Sequence, residues 1–203
     1  FITTDAAIEA GLLQKALSDC VKDTFNMVSV DGDTSTNDTV LVLANAQAQN
    51  ETIKEENEDY RVFAKALKCV CEHLAKCIAK DGEGASKLLE CKVSGAPDVQ
   101  TAKVVAKSVI CSSLFKAAMF GADANWGRVL CAIGYAPAEF DIQKVEVSLG
   151  SDKGKILVCQ NGAGVDFSEE LAKEILLRDD IQIMIDLHQG TGSATAWGCD
   201  LTY

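Results

Sequence analysis

Along "IEAGLLQKALSDCVKDTF", apolar residues recur close to the helical period at Ile8, Leu12, Ala16, Val21 and Phe25, which predicts a first helix. Before it, Phe1 and Ile2 are apolar and read as a buried strand covering residues 1–4. "MVSV" is a candidate short strand, and "TVLVLANA", dense in β-branched and apolar residues, is expected to be a buried one. A longer helix is expected over about residues 58–80, where Phe63, Leu67, Val70, Cys71, Leu74, Cys77 and Ile78 form one stripe. Gly82 and Gly84 of "DGEG" stop it. "KLLECKVSG" follows as a strand, and "DVQTAKVVAKSVICSS" as a third helix with Asp98 as its N-cap. "LFKAAMFG" is apolar throughout and is expected to be extended. "ADANWGRVLCAIG" reads as a short helix capped by Asp123 or Asn125 and closed by Gly134.

The last third of the chain changes character. "KVEVSLG", "KILVCQ" and "IQIMIDLH" alternate or run apolar and predict strands; in the third, Ile181, Ile183, Ile185 and Leu187 share one face. "DFSEELAKEIL" is expected to be a helix opened by a capping box of Asp166 and Glu169. "GSATAWGCDLTY" predicts a final strand running to Tyr203. Strands and helices mix throughout without repeats, so the fold class is α/β, or mixed α+β layers. Pro137 and the turn around residues 136–142 suggest a larger α/β lobe over 1–140 and a smaller β-rich lobe over 141–203, with one domain as the alternative.

The 203 residues suffice for one sizeable core or two small ones. A net charge of −11 repels phosphate backbones, which argues against nucleic-acid binding. No apolar run reaches the roughly 20 residues of a membrane span. The nine cysteines contain no C-x-x-C pair, and only His73 and His188 could join them as ligands. The expectation is buried thiols in a reducing, cytosolic setting rather than a metal site or a disulfide framework.

Candidate chemistry gathers in a few segments. "FGADANWGRVLCAIGYA" places Asp123, Asn125, Trp126 and Arg128 at a helix start, where unpaired N–H groups favour anions and Arg128 could add a cationic fork. A capped helix with Trp126 on the core and Arg128 paired to an acid is the simpler reading. "DGDTSTNDT" carries Asp31, Asp33 and Asp38 on a polar loop, but no Glu stands where a calcium loop needs one. Glu83 lies between two glycines at a helix C-terminus, where a carboxylate is electrostatically disfavoured. Ser193, His188 and Asp186 lack the G-x-S-x-G elbow that a serine hydrolase of that type requires.

The segments "FITTDA", "DGDTSTNDTV", "GEGASK", "FGADANWGRVLCAIGYA" and "CDLTY", in this order, resemble the β chain of the ornithine acetyltransferase (glutamate N-acetyltransferase) family of arginine biosynthesis. The resemblance covers nearly the whole chain. It implies a precursor that cuts itself before a Thr, about four positions ahead of Phe1, whose amine then serves as base for its own hydroxyl. Thr3 and Thr4 match positions downstream of that nucleophile, so no catalytic residue is assigned within this chain.

The implied reaction carries acetyl from N-acetylornithine to glutamate through an acetyl-threonine, with acetyl-CoA as a further possible donor and no cofactor or metal. Glu83 matches a substrate-binding Glu of the family, while Asn37, Asp123 and Arg128 lie in family motifs that build the site. A Thr-Gly pair of the α chain supplies oxyanion donors, and an Asn and a Ser or Thr beyond "DLTY" supply further ligands. The implied fold is a sandwich of helices and sheets completed by an α chain from the same precursor, paired into a heterotetramer in the cytoplasm, with no membrane partner. The alternatives are a related self-processing amidase or aminopeptidase, and a non-catalytic structural subunit.

Overall fold

The computed structural model describes residues 1–202, arranged as two compact units. The first comprises Phe1–Asn26 and Asp33–Leu74, the second Met27–Gly32 and the chain from Ala75 onward. The class is mixed α/β, as the hydrophobic pattern predicts.

In the first unit, strand β1 (Ile2–Thr4) pairs in parallel with β3 (Val42–Ala44), matching Ile2 to Val42. Helix α1 (Ala10–Asp23) and helix α2 (Glu58–Lys80), which contributes Glu58–Leu74 here, supply a core of Ala16, Leu17, Cys20, Tyr60, Leu67 and Cys71. Ile2 and Ile53 complete it. Asn50 acts as a strand surrogate, since its Oδ1 accepts from Ala7 N at 2.8 Å and its Nδ2 donates to Ala7 O at 3.1 Å.

Two expectations are corrected in this unit. Phe1 is 93% exposed rather than part of a buried strand. The strand expected over "TVLVLANA" shrinks to three residues, with Leu43 57% exposed. The physical reason is shared: a two-stranded ribbon has too few neighbours in this chain to cover both faces. The stripe on α2 is also split. Leu67 and Cys71 are buried, but Val70, Cys77 and Ile78 are exposed.

The second unit is built on a seven-stranded sheet. Its strands are β2 (Val28–Ser29), β4 (Leu88–Ala96), β5 (Glu146–Ser151), β6 (Gly154–Gln160), β7 (Ala163–Gly164), β8 (Asp180–Asp186) and β9 (Gly192–Cys199), in the order β2-β9-β4-β8-β5-β6-β7. Pairing is mixed: β4 runs parallel to β8 and antiparallel to β9. The division expected near residues 136–142 falls inside this unit, where β4 joins one sheet with β5, β8 and β9.

Period-2 alternation decides the two faces of the sheet. Leu89, Cys91 and Val93 lie opposite Ile181, Ile183 and Ile185, all within 2% of full burial. They share a core with Ala102, Val105, Ala106 and Val109 of helix α3 (Val99–Ile110) and with Ile175 and Leu176 of helix α6 (Glu169–Leu176). Gly198 lets α3 approach, because a Cβ there would lie 2.6 Å from Ile110 Cγ2 and 2.7 Å from Ser29 O. The other face carries Glu90, Lys92, Gln182 and Met184. There Glu90 accepts from Trp197 Nε1 at 2.8 Å and pairs with Lys76 and Lys92 at 2.9 and 2.7 Å.

Three local expectations differ from the structure. "LFKAAMFG" forms helix α4 (Ser113–Phe120), capped by Ser112 Oγ accepting from Phe115 N. A run with a single charged residue, Lys116, among apolar ones shows no period to read, and its Leu, Lys, Met and paired Ala residues favour helix. Helix α6 is capped by Ser168, which accepts from Leu171 N, rather than by Asp166. Strand β9 ends at Cys199, short of the expected Tyr203, which lies outside the described residues. Asp98 caps α3 as expected, accepting from Thr101 N at 2.7 Å.

Candidate functional site

The Glu83 loop leaves α2 and enters β4. Ala85 N donates to Gly82 O at 2.9 Å, closing a turn with Glu83 and Gly84 at its centre. Gly84 has φ +71°, the left-handed value that the third position of a type II turn requires. Gly82 is needed for a different reason: a Cβ there would lie 2.9 Å from both Cys199 Sγ and Val30 Cγ1. The glycines thus seat the turn close against the sheet and leave Glu83 exposed at its tip.

The far side of the loop is held by Asp200. This carboxylate is only 3% exposed. Its Oδ1 accepts from Ser86 N at 2.8 Å and Lys87 N at 2.9 Å, and its Oδ2 accepts from Ser86 Oγ. A buried carboxylate is costly unless its lone pairs are filled, and here backbone and hydroxyl donors fill them. Asp200 N returns a bond to Lys87 O at 3.3 Å.

Two buried lysines extend the arrangement. Lys87 Nζ donates to Met119 O and Phe120 O, the last carbonyls of α4. An ammonium suits a helix C-terminus, where carbonyls lack partners and the dipole is negative. Burial pushes the Lys87 pKa down, against the raising influence of the Asp200 and Asp179 charges. Lys116, 3% exposed, donates through Nζ to Val30 O, and its own carbonyl accepts from Leu201 N at 3.3 Å.

Asp123 and Arg128 lie just after α4. Helix α5 (Trp126–Gly134) is capped by Asn125, whose Oδ1 accepts from Arg128 N at 3.2 Å. Asp123 Oδ2 accepts from Asn125 Nδ2 at 3.0 Å and so orients the cap. Trp126 packs against the core, with Gly164 making room for its ring. Arg128 Nη1 donates to Leu114 O at 2.8 Å, tying α5 to α4 through a carbonyl rather than through the acid expected from sequence.

Lys87 therefore joins the "GEGASK" and "FGADANWGR" segments, since it belongs to the first and its ammonium binds the start of the second. Asn37 belongs to the first unit. Its Oδ1 accepts from Thr36 Oγ1 at 2.7 Å and its N donates to Ser35 Oγ at 3.1 Å, within an exposed loop. Asp200, Ser86, Lys87 and Lys116 are absent from the residues that the sequence singles out. One signal was available: Lys116 is a lone cation in the apolar run "LFKAAMF".

The cysteines divide. Cys20, Cys71, Cys91, Cys159 and Cys199 are buried as expected, whereas Cys69, Cys77, Cys111 and Cys131 are exposed; all nine are free thiols. Burial pushes the Cys71 thiol up to about 11, which leaves it protonated and inert. Among the described residues, no helix is long and apolar enough to cross a membrane.

The ArgJ family pattern matches residues 1–203. Arginine biosynthesis bifunctional protein ArgJ 1 of Clostridium acetobutylicum is 56% identical over 203 residues, which is 100% of this chain and 50% of that protein. Its counterpart in Bacillus subtilis is 51% identical over 203 residues, covering 100% of this chain and 49% of that protein. The crystal structure of arginine biosynthesis bifunctional protein argJ from Bacillus halodurans aligns with a TM-score of 0.95 at 49% identity, over 100% of this chain and 94% of that one. The chain spans about half the length of the curated relatives it matches, yet nearly all of the solved chain. By its full-length pattern match, its identity to these relatives and its fold, the chain belongs to the ArgJ family.

Proposed function

We propose that this chain is the β half of a self-processed acetyltransferase that moves acetyl from N-acetylornithine to glutamate. The observation that carries the reading is the match of the whole chain to the ArgJ family while it covers 50% of the Clostridium relative. A relative solved as a chain of which this one covers 94% supports two separate chains cut from one precursor.

In this reading the nucleophile is a Thr about four positions ahead of Phe1, freed as an N-terminus by cleavage. Its amine takes the hydroxyl proton as the oxygen attacks the acetyl carbonyl. The amide C–N bond breaks, the proton passes to the departing amine, and ornithine leaves. The amine of glutamate then attacks the acetyl ester, which releases N-acetylglutamate and restores the hydroxyl. The α chain contributes oxyanion donors, and the assembled enzyme is a heterotetramer of two α and two β chains. The relatives' names call them bifunctional, and in this reading acetyl-CoA is the second donor. Nine free thiols and the biosynthetic relatives support a cytoplasmic setting.

Glu83 binds the substrate, for which an exposed carboxylate on a short, glycine-shaped turn is suited, since it can accept a hydrogen bond from the α-nitrogen of either amino acid. Asp123 and Arg128 build the site by holding the start of α5 and its junction with α4. Asn37, on the polar loop of the first unit, is the remaining residue that the family motif marks.

The test is an acetyl-transfer assay on the intact αβ protein with labelled N-acetylornithine and with acetyl-CoA. Labelled N-acetylglutamate, with label trapped on an N-terminal Thr at mid-turnover, is the expected result. Free acetate without N-acetylglutamate indicates the amidase alternative, and no turnover by protein beginning at that Thr indicates a structural subunit.

A further inference from the structure

We infer that Asp200 is a positioning residue for Glu83, acting by locking the loop that presents it; this rests on the proposed substrate role of Glu83. The motivating observation is a buried carboxylate whose three hydrogen bonds, from Ser86 N, Ser86 Oγ and Lys87 N, all come from that one loop. These contacts span 113 and 114 residues of sequence, so they fix the loop to a distant strand end rather than shaping it locally.

The loop has little else of its own to hold it. Glu83 and Gly84 are exposed, and the turn closes on the single Ala85 N to Gly82 O bond. Both backbone amides converge on the one oxygen, Asp200 Oδ1. Asp200 also begins the segment Asp200–Thr202, whose next residue, Leu201, is bound by Lys116 O, while Gly84 lies against Thr202, with a Cβ there only 3.2 Å from Thr202 Cγ2. One side chain therefore sets the spacing between the Glu83 turn and the segment Asp200–Thr202. Asp200 thus fixes where the turn holds the Glu83 carboxylate. Misplacement of such a group by a fraction of an ångström weakens binding without removing any contacting atom.

The test is a double-mutant cycle on the intact αβ enzyme, read as KM for glutamate and for N-acetylornithine. Glu83→Gln is expected to raise KM about tenfold, and Asp200→Asn to raise it by a similar factor through displacement of the loop. In the Glu83→Gln background, Asp200→Asn is expected to change KM less than about twofold, because the group it positions is already disabled. Ser86→Ala, which keeps both backbone donors, is expected to give a smaller rise with the same non-additivity, and it serves if Asp200→Asn fails to assemble. Effects of Asp200→Asn and Ser86→Ala that multiply with that of Glu83→Gln would overturn the positioning role while leaving Glu83 as a ligand. An unchanged KM in Glu83→Gln alone would overturn the assignment of Glu83, and the role of Asp200 with it.

Discussion

Two loops of this chain look alike in sequence and are built differently. "DGDTSTNDT" and "DGEGASK" both follow an apolar segment, begin with Asp-Gly and carry acidic and small polar residues. In the first, Asn37 bonds to Ser35 and Thr36, Thr39 bonds to Asn37 O, and residues 31–39 are exposed. In the second, a carboxylate more than a hundred residues away gathers Ser86 and Lys87, and Lys87 reaches on to the end of α4. Local hydrogen bonds choose a turn's shape, whereas long-range ones choose its place. A loop that must present a ligand to within a fraction of an ångström needs the second kind.

The largest expected effect comes from removing the space on which the anchored loop depends. Gly82→Val puts branched carbon where even a Cβ would lie 2.9 Å from Cys199 Sγ and Val30 Cγ1. Neither neighbour is the tip of a long flexible chain, so strands and loop must shift. The expected cost is about 2–3 kcal/mol, seen as a lower midpoint in denaturant unfolding of the assembled protein. The matching change in the other loop, Gly32→Ala, meets no atom within 4 Å and suffers only from φ +92°. It is expected to cost about 1 kcal/mol. Equal costs at the two positions would erase the distinction.

A second buried carboxylate, whose partners include Trp197, 107 residues away, sharpens the same contrast. Burial of Glu90 raises its pKa, but hydrogen bonds from Lys92, Trp197 and Lys76 outweigh this and bring it down to about 2. Because the folded value lies below the ordinary 4.5, its contribution is present above pH 4.5 and is lost as pH falls through about 2. Discounted for solvent screening, it amounts to about 1–2 kcal/mol. Unfolding free energy followed from pH 6 downward should fall across that window in the native sequence, and Glu90→Gln should remove that part of the fall. A parallel decline in both proteins would show that the network contributes nothing specific.

Sequence alone made much of this architecture legible, and physics explains where it stopped. The isoleucines of β8, the Asp98 cap and the Asn125 cap follow rules local to a few residues, and each appears where expected. Helix α4 was missed because an all-round apolar run carries no period. The exposure of Leu43 and Phe1 depends on how many neighbours the chain itself supplies, which no local pattern encodes. The same limit governs the site. Glu83 stands out through its glycines, but Asp200, in "GCDLTY", looks like any residue at a strand end. Its importance lies in a pairing across 114 positions, and with one sequence nothing marks that pairing in advance.

The smallest predicted effect tests the exposed loop. Asn37→Ala removes an acceptor for Thr36 Oγ1, while the backbone N–H of residue 37 can still donate to Ser35 Oγ, and Thr39 can still donate to the carbonyl of residue 37. No buried group loses its partner, so water replaces the lost bond, and stability should change by less than about 0.5 kcal/mol. Activity is the informative axis. If Asn37 serves the chemistry, as its place in the family motif suggests, turnover by the αβ enzyme should fall while the unfolding midpoint stays fixed. A residue whose bonds are local, as those of Asn37 are, can be costless to the fold and still matter to the chemistry. A shift in midpoint larger than that small bound would instead mean that Asn37 has the kind of distant anchor that Asp200 gives the other loop.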